Sequence, residues 1–169
     1  MIAVKITSMK IFMNHLLAGT TFDNFLFAEG TVSTAHTYTI DGHINKEFYE
    51  DTKELLPYDF ATWTDMRPLC YDLIKGKRTP LYFKFVLHLK PEIASKLLAT
   101  GGSNVSADQI KALVLTIKYD GESAVLTTGT AFHTFVMSKE PDTIWDKGFA
   151  QFLDREISLT KSINLLCAG

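Results

Sequence analysis

The chain has 169 residues, 46% of them apolar and 21% charged, with 17 Lys and Arg against 19 Asp and Glu. That length buries roughly two-thirds of the surface of the unfolded chain in one core, so a single domain over residues 1–169 is expected. The composition speaks against a disordered chain, and no apolar run approaches the span of a bilayer.

The first twenty residues, MIAVKITSMKIFMNHLLAGT, have the outline of a secretory leader, but Asn14 and His15 interrupt the apolar run and its period is helical. A folded amphipathic segment is the reading. Cys70 and Cys167 lack the partner spacing of a metal or redox motif, which makes a reducing cytoplasm the expected compartment.

Residues 2–6 alternate as a strand, and Thr7 or Ser8 can cap the helix that Met9, Phe12, Met13, Leu16 and Leu17 predict at i, i+3, i+4, i+7 and i+8. Gly19 is read as its left-handed stop. Residues 24–40 are rich in Thr, Val, Phe and Tyr and read as two strands paired about a turn at Glu29-Gly30, with Asp41-Gly42 ending the second. Residues 43–64 form a long polar connection with one short helical turn.

Pro68 belongs in a first turn, so the next helix starts close to Asp65, with Met66, Leu69, Cys70, Leu73 and Ile74 inward and Gly76 closing it. Pro80 opens a strand that places Leu81, Phe83, Phe85, Leu87 and Leu89 on a core face. Tyr82, Lys84, Val86, His88 and Lys90 fall on a mostly wet face. Pro91 starts a helix of about ten residues with Ile93, Leu97 and Leu98 inward, stopped by Gly101-Gly102. GGSNVSAD reads as a mobile loop.

Residues 110–119 and 123–128 form a hairpin about Asp120-Gly121, with a third strand at 130–137. Trp145, Phe149, Phe152 and Leu153 share one face of a last helix over 142–156. The tail from 157 to 169 is an edge strand or a partly ordered end. The sum is an α+β fold, a largely antiparallel sheet with about four helices.

An offset of 81 places sets Ile2, Val4 and Ile6 over Phe83, Phe85 and Leu87, and Phe12, Leu16 and Leu17 over Ile93, Leu97 and Leu98. Two pseudo-repeats, 1–42 and 81–137, follow. This strand-helix-strands order resembles the βαβββ unit duplicated in DNA sliding clamps, where paired helices present basic residues to DNA. Here the outward helical positions are Lys10, Asn14 and His15, and Glu92, Ser95 and Lys96. The runs TFDNFLFAEG, YTIDG and RPLCYDLIKGKRTPLYFKFVL resemble a family of uncharacterised Firmicutes proteins with a domain of unknown function. That resemblance covers most of the chain and implies a bacterial cytoplasmic origin, with no activity or catalytic residue to carry over.

The most distinctive stretch, residues 74–90, holds Lys75, Lys77, Arg78, Lys84 and Lys90 with no acid, leaving twelve basic against nineteen acidic residues elsewhere. Such a separation can attract nucleic acid or an acidic protein, with Tyr82 as a stacking surface and His88 beside it. The alternative is structural: Lys75, Lys77 and Arg78 complement a helix end, and Lys84, His88 and Lys90 line a solvated strand face.

His36 alternates with Val32, Thr34, Tyr38 and Ile40 and is expected on the apolar side of its strand; with Asp41 and His43 it is the candidate set for an enzyme. The histidines show no HxH or HExxH spacing and the cysteines no CxxC, so neither a metal nor another cofactor is indicated. GKRT lacks the glycine frame of a phosphate-binding loop. A binding or scaffolding role follows, with an enzyme assembled around His36, Asp41 and His43, or a homo-oligomeric structural protein, as the alternatives.

Overall fold

The computed structural model describes residues 1–52 and 54–157, and the backbone of 163–166. Its strands are β1 (Ala3–Ile6), β2 (Phe25–Ser33), β3 (Thr37–Asp41), β4 (Ala61–Thr62), β5 (Tyr82–Leu89), β6 (Ile110–Tyr119), β7 (Ala124–Phe132) and β8 (Ile163–Leu166). Its α-helices are α1 (Met9–Met13), α2 (Trp63–Ile74), α3 (Pro91–Thr100) and α4 (Glu140–Ile157). Seven strands run in the order β3-β2-β5-β6-β7-β1-β8, every neighbour antiparallel, and β4 pairs with β2 at Leu26 and Phe27. The α+β reading holds.

Alternation along each strand decides the layers. Phe83, Phe85, Leu87 and Leu89 on β5, Leu115 and Ile117 on β6, Leu126 on β7, and Val4 and Ile6 on β1 are buried on one face. Phe12 and Leu16, Trp63 and Cys70, Leu98, and Trp145 and Phe149 from the helices join the same cluster. All four helices therefore cover one face. The opposite face, with Lys84, Val86, His88, Thr116 and Thr127, is half-buried or open.

The first helix is shorter than its apolar stripe. After Met13 it continues as a π-helical turn, Asn14–Ala18, closed by the Gly19 amide on the Asn14 carbonyl at 2.8 Å. The wider turn turns the Leu16 carbonyl to the core, where the Trp63 indole donates to it at 3.1 Å. Gly19 is extended (φ −94°, ψ −177°), not the left-handed stop expected.

Glu29-Gly30 is not a turn. β2 runs through it with a bulge at Ala28, and the reversal lies at Thr34–His36. Gly30 stands there because a Cβ would lie 2.6 Å from the Phe27 ring and 3.0 Å from that of Phe85. Gly129 likewise lies within a strand, so 124–132 is one strand and the separate third strand at 130–137 is absent.

The second helix opens two residues before Asp65. The Thr62 hydroxyl caps it by accepting from the Asp65 amide at 3.2 Å, and Pro68 sits inside, leaving the carbonyl of exposed Thr64 open to water. Trp63 is buried at the start of the helix, whereas Leu69, expected inward, is 45% exposed, and Leu81 is 69% exposed in the bend before β5. The third and fourth helices stand close to their expected bounds, and Gly102 has the left-handed conformation (φ 74°).

The 81-residue offset relates units that pair differently. β5 and β6 are hydrogen-bonded neighbours, whereas β1 and β2 are separated by β5, β6 and β7. In the tail, β8 is an edge strand on β1; residues 158–162 and 167–169, Cys167 among them, lie outside the described residues.

Cys70 is fully buried, and burial pushes its thiol up to about 12. In a Cys167→Ser background, a thiol-disulfide reagent should therefore label the native protein only as fast as it unfolds. Rapid labelling at neutral pH would contradict this burial.

Candidate functional site

The basic stretch does not form one surface. Helix end, bend and strand distribute its members among three places, and Lys84 and Lys90 alone are about 20 Å apart along the chain.

Lys75, Lys77 and Arg78 lie in the connection from α2 to β5, on the helix side of the sheet. With Lys10 of α1 they surround a groove of about 330 Å³ whose floor includes Met13, Ile74, Phe83 and Tyr119. No Asp or Glu lines it. The Lys75 ammonium is bonded to Asp72 at 3.0 Å, and that hydrogen bond and charge raise its pKa; it also lies 5.3 Å from the Tyr71 ring centre. Lys10, Lys77 and Arg78 form no ion pair among the described residues.

Lys84 is on the open face of the sheet. Register sets it directly opposite Lys118 of β6; Val125 follows on β7 and Lys5 on β1. Like charges directly opposed on one face repel, a cost an anion would relieve. Tyr82 is half-buried on this face, one alternate position from Lys84. Acids stand beside the row: Glu29, Asp41 and Lys84 share a hollow of about 310 Å³.

His88 belongs to a third place, a cleft of about 350 Å³ between residues 56–60, α3 and the adjoining ends of β5 and β6; Lys90, between β5 and α3, does not line it. The His88 ring meets Phe60 edge-on at 5.1 Å, and Phe60 meets His43 at 5.4 Å. Burial, then the Lys111 charge, lower the His88 pKa, while Glu29 opposes them. Lys90 lies 5.9 Å from the Tyr58 ring centre, and Tyr58 donates to Glu92.

Of the set His36, Asp41 and His43, the last two line one shallow hollow of about 210 Å³ and His36 stands apart from them. His36 is exposed in the turn before β3, about 16 Å along the strand from Asp41, and lies on neither face of the sheet because the turn breaks the alternation. Asp41 accepts from the His43 amide at 2.9 Å, which is turn chemistry. Among the described residues no three His, Cys, Asp or Glu gather as a metal set, and no helix is long and apolar enough to cross a membrane.

A family of unknown function (DUF5721) matches residues 15–159. The chain belongs to this family. Comparison with curated proteins finds no match, and comparison with solved structures finds none. The matched span takes in the α2–β5 connection and the whole cleft, and begins after Lys10.

Sequence reasoning placed Lys10 among outward helical positions without joining it to Lys77 and Arg78, and it missed Lys5, Lys111, Lys118 and His133. Only the register of β5 on β6 opposes Lys118 to Lys84, and only the packing of α1 beside the α2–β5 bend brings Lys10 to the groove.

Proposed function

We propose that the protein is a non-catalytic binding domain that holds an acidic, partly apolar segment of a partner protein in the groove between α1 and the α2–β5 connection. The observation that carries this reading is the lining of that groove: Lys10, Lys75, Lys77 and Arg78 about an apolar floor, with no carboxylate. The cations speed and orient the encounter. Met9 and Met13, half-buried on α1 above the buried Ile74, Phe83 and Tyr119, then meet the apolar side chains of the segment, adding affinity that salt does not screen. A nucleic acid would use the cations and leave Met9 and Met13 wet.

A second reading, a nucleic-acid strand across the open sheet face, is favoured by the row Lys84, Lys118 and Lys5 with Tyr82 beside it. The neighbouring Glu29 and Asp41 weigh against it. A clamp-like role draws no support from the groove, since of the outward helical positions only Lys10 lines it. A bacterial cytoplasmic setting, as the sequence likeness implies, is compatible with either reading.

Fluorescence anisotropy separates them, with a labelled peptide of Glu and Leu and with oligothymidylate as probes. Lys77→Glu with Arg78→Glu should weaken the peptide at least about tenfold, or ~1.4 kcal/mol. Lys84→Glu with Lys118→Glu should leave it within about twofold. Peptide affinity unchanged by the first pair sinks the groove reading; oligothymidylate affinity lost only in the second pair moves the function to the sheet face.

A further inference from the structure

The cleft at the other end of β5 is built differently from the basic groove, and we infer that it is a binding site for a small organic monocarboxylate with an apolar body. Its volume, about 350 Å³, lies within the range of small-ligand sites. Leu26, Leu89, Leu98 and Ile110 give it an apolar floor. Lys111 on β6, His88 on β5 and His133, just past the end of β7, supply polar groups.

Glu29 acts on His88 and Asp108 on His133, and Lys111 is the cation of the cleft. Its lining carboxylate, Asp59, is already bound to the Lys46 ammonium at 2.9 Å, and that bond lowers its pKa. Glu92, at the start of α3, accepts from Tyr58. The side chains of Lys111, His88 and His133 make no hydrogen bond among the described residues, so their donors remain for a ligand. A carboxylate between Lys111 and the imidazoles would be charge-paired, while its hydrocarbon body covered the floor and displaced water from it.

The groups facing His88 are Lys111 and Glu29 across the sheet, with Tyr58 and Asp59 from the overlying segment, and His133 lines the same cleft. A bound carboxylate adds a negative charge to this set and favours the imidazolium. Linkage then requires binding to tighten as pH falls through the raised His88 pKa of the complex toward the lower one of the free protein.

The test is NMR titration of the full chain with hexanoate and phenylacetate, with hexanamide as the neutral control. Saturable shifts at the His88 and His133 rings are expected. Hexanamide should bind at least about tenfold more weakly, Lys111→Met should weaken hexanoate by a similar factor, and hexanoate should raise the His88 pKa. Both Lys111 and His133 are exposed, so Lys111→Met and His133→Gln keep the fold, which the amide spectrum verifies. Equal binding of hexanamide, an unchanged His88 pKa, or hexanoate affinity that survives both substitutions would overturn the assignment, as would the absence of shifts at about 10 mM hexanoate, a concentration above the ordinary range of weak specific binding.

Discussion

Gly42→Ala is expected to lose about 3–5 kcal/mol of folding stability, from overpacking combined with strained backbone hydrogen bonds. An added Cβ would stand 1.9 Å from the Phe27 carbonyl oxygen and 2.8 Å from a Phe27 ring carbon. The backbone cannot retreat freely. The Gly42 amide donates to the Ala28 carbonyl at 2.9 Å, within the bulge of β2, and its carbonyl accepts from the Ala61 amide at 2.8 Å, at the start of β4. Moving Gly42 breaks one of these bonds, and staying in place clashes. Gly129→Ala is the control, since nothing lies within 4 Å of its Cβ position; it should stay within about 0.5 kcal/mol of the parent. Urea unfolding measures both, and a Gly42→Ala protein with the parental midpoint would contradict the close approach.

Trp63→Ala should cost a similar amount, about 3–5 kcal/mol. The indole is fully buried, with its ring centre 5.4 Å from that of Phe85 and 6.0 Å from that of Phe27. It also satisfies the Leu16 carbonyl in the π-helical turn. Trp63→Phe separates the two contributions: it keeps most of the volume but leaves that carbonyl unpaired, for about 1–3 kcal/mol. Equal losses in the two variants would mean that the hydrogen bond dominates, and a silent Trp63→Phe would mean that the π turn does not depend on it.

What the sequence made legible follows from how each feature is encoded. Phe83, Phe85, Leu87 and Leu89 are readable because period two with one buried face is a local pattern. Pro91 and Gly101-Gly102 punctuate the third helix for reasons internal to the chain. Gly30 was misread because a glycine that makes room for two phenylalanine rings looks, in sequence, like one that makes a turn. His36 was placed on the apolar side because alternation was carried through a segment that is itself the turn.

The candidate sites were legible only in part for the same reason. Contiguity joins Lys75, Lys77 and Arg78, which share one bend and line one groove. It also joins Lys84, His88 and Lys90 to them, but the strand carries Lys84 to another face and its length carries His88 and Lys90 to another end. Lys10, Lys111 and Lys118 reach their neighbours through helix packing and strand register, and neither leaves a local trace.

Binding in the groove between α1 and the α2–β5 connection can be read from backbone amide shifts of the full chain on titration with the Glu and Leu peptide. Saturable shifts clustered at Lys10, Met13, Lys77, Arg78 and Phe83, reduced by added salt, are expected. Shifts clustered on Lys5, Lys84 and Lys118 instead, or none that saturate, would contradict binding in the groove.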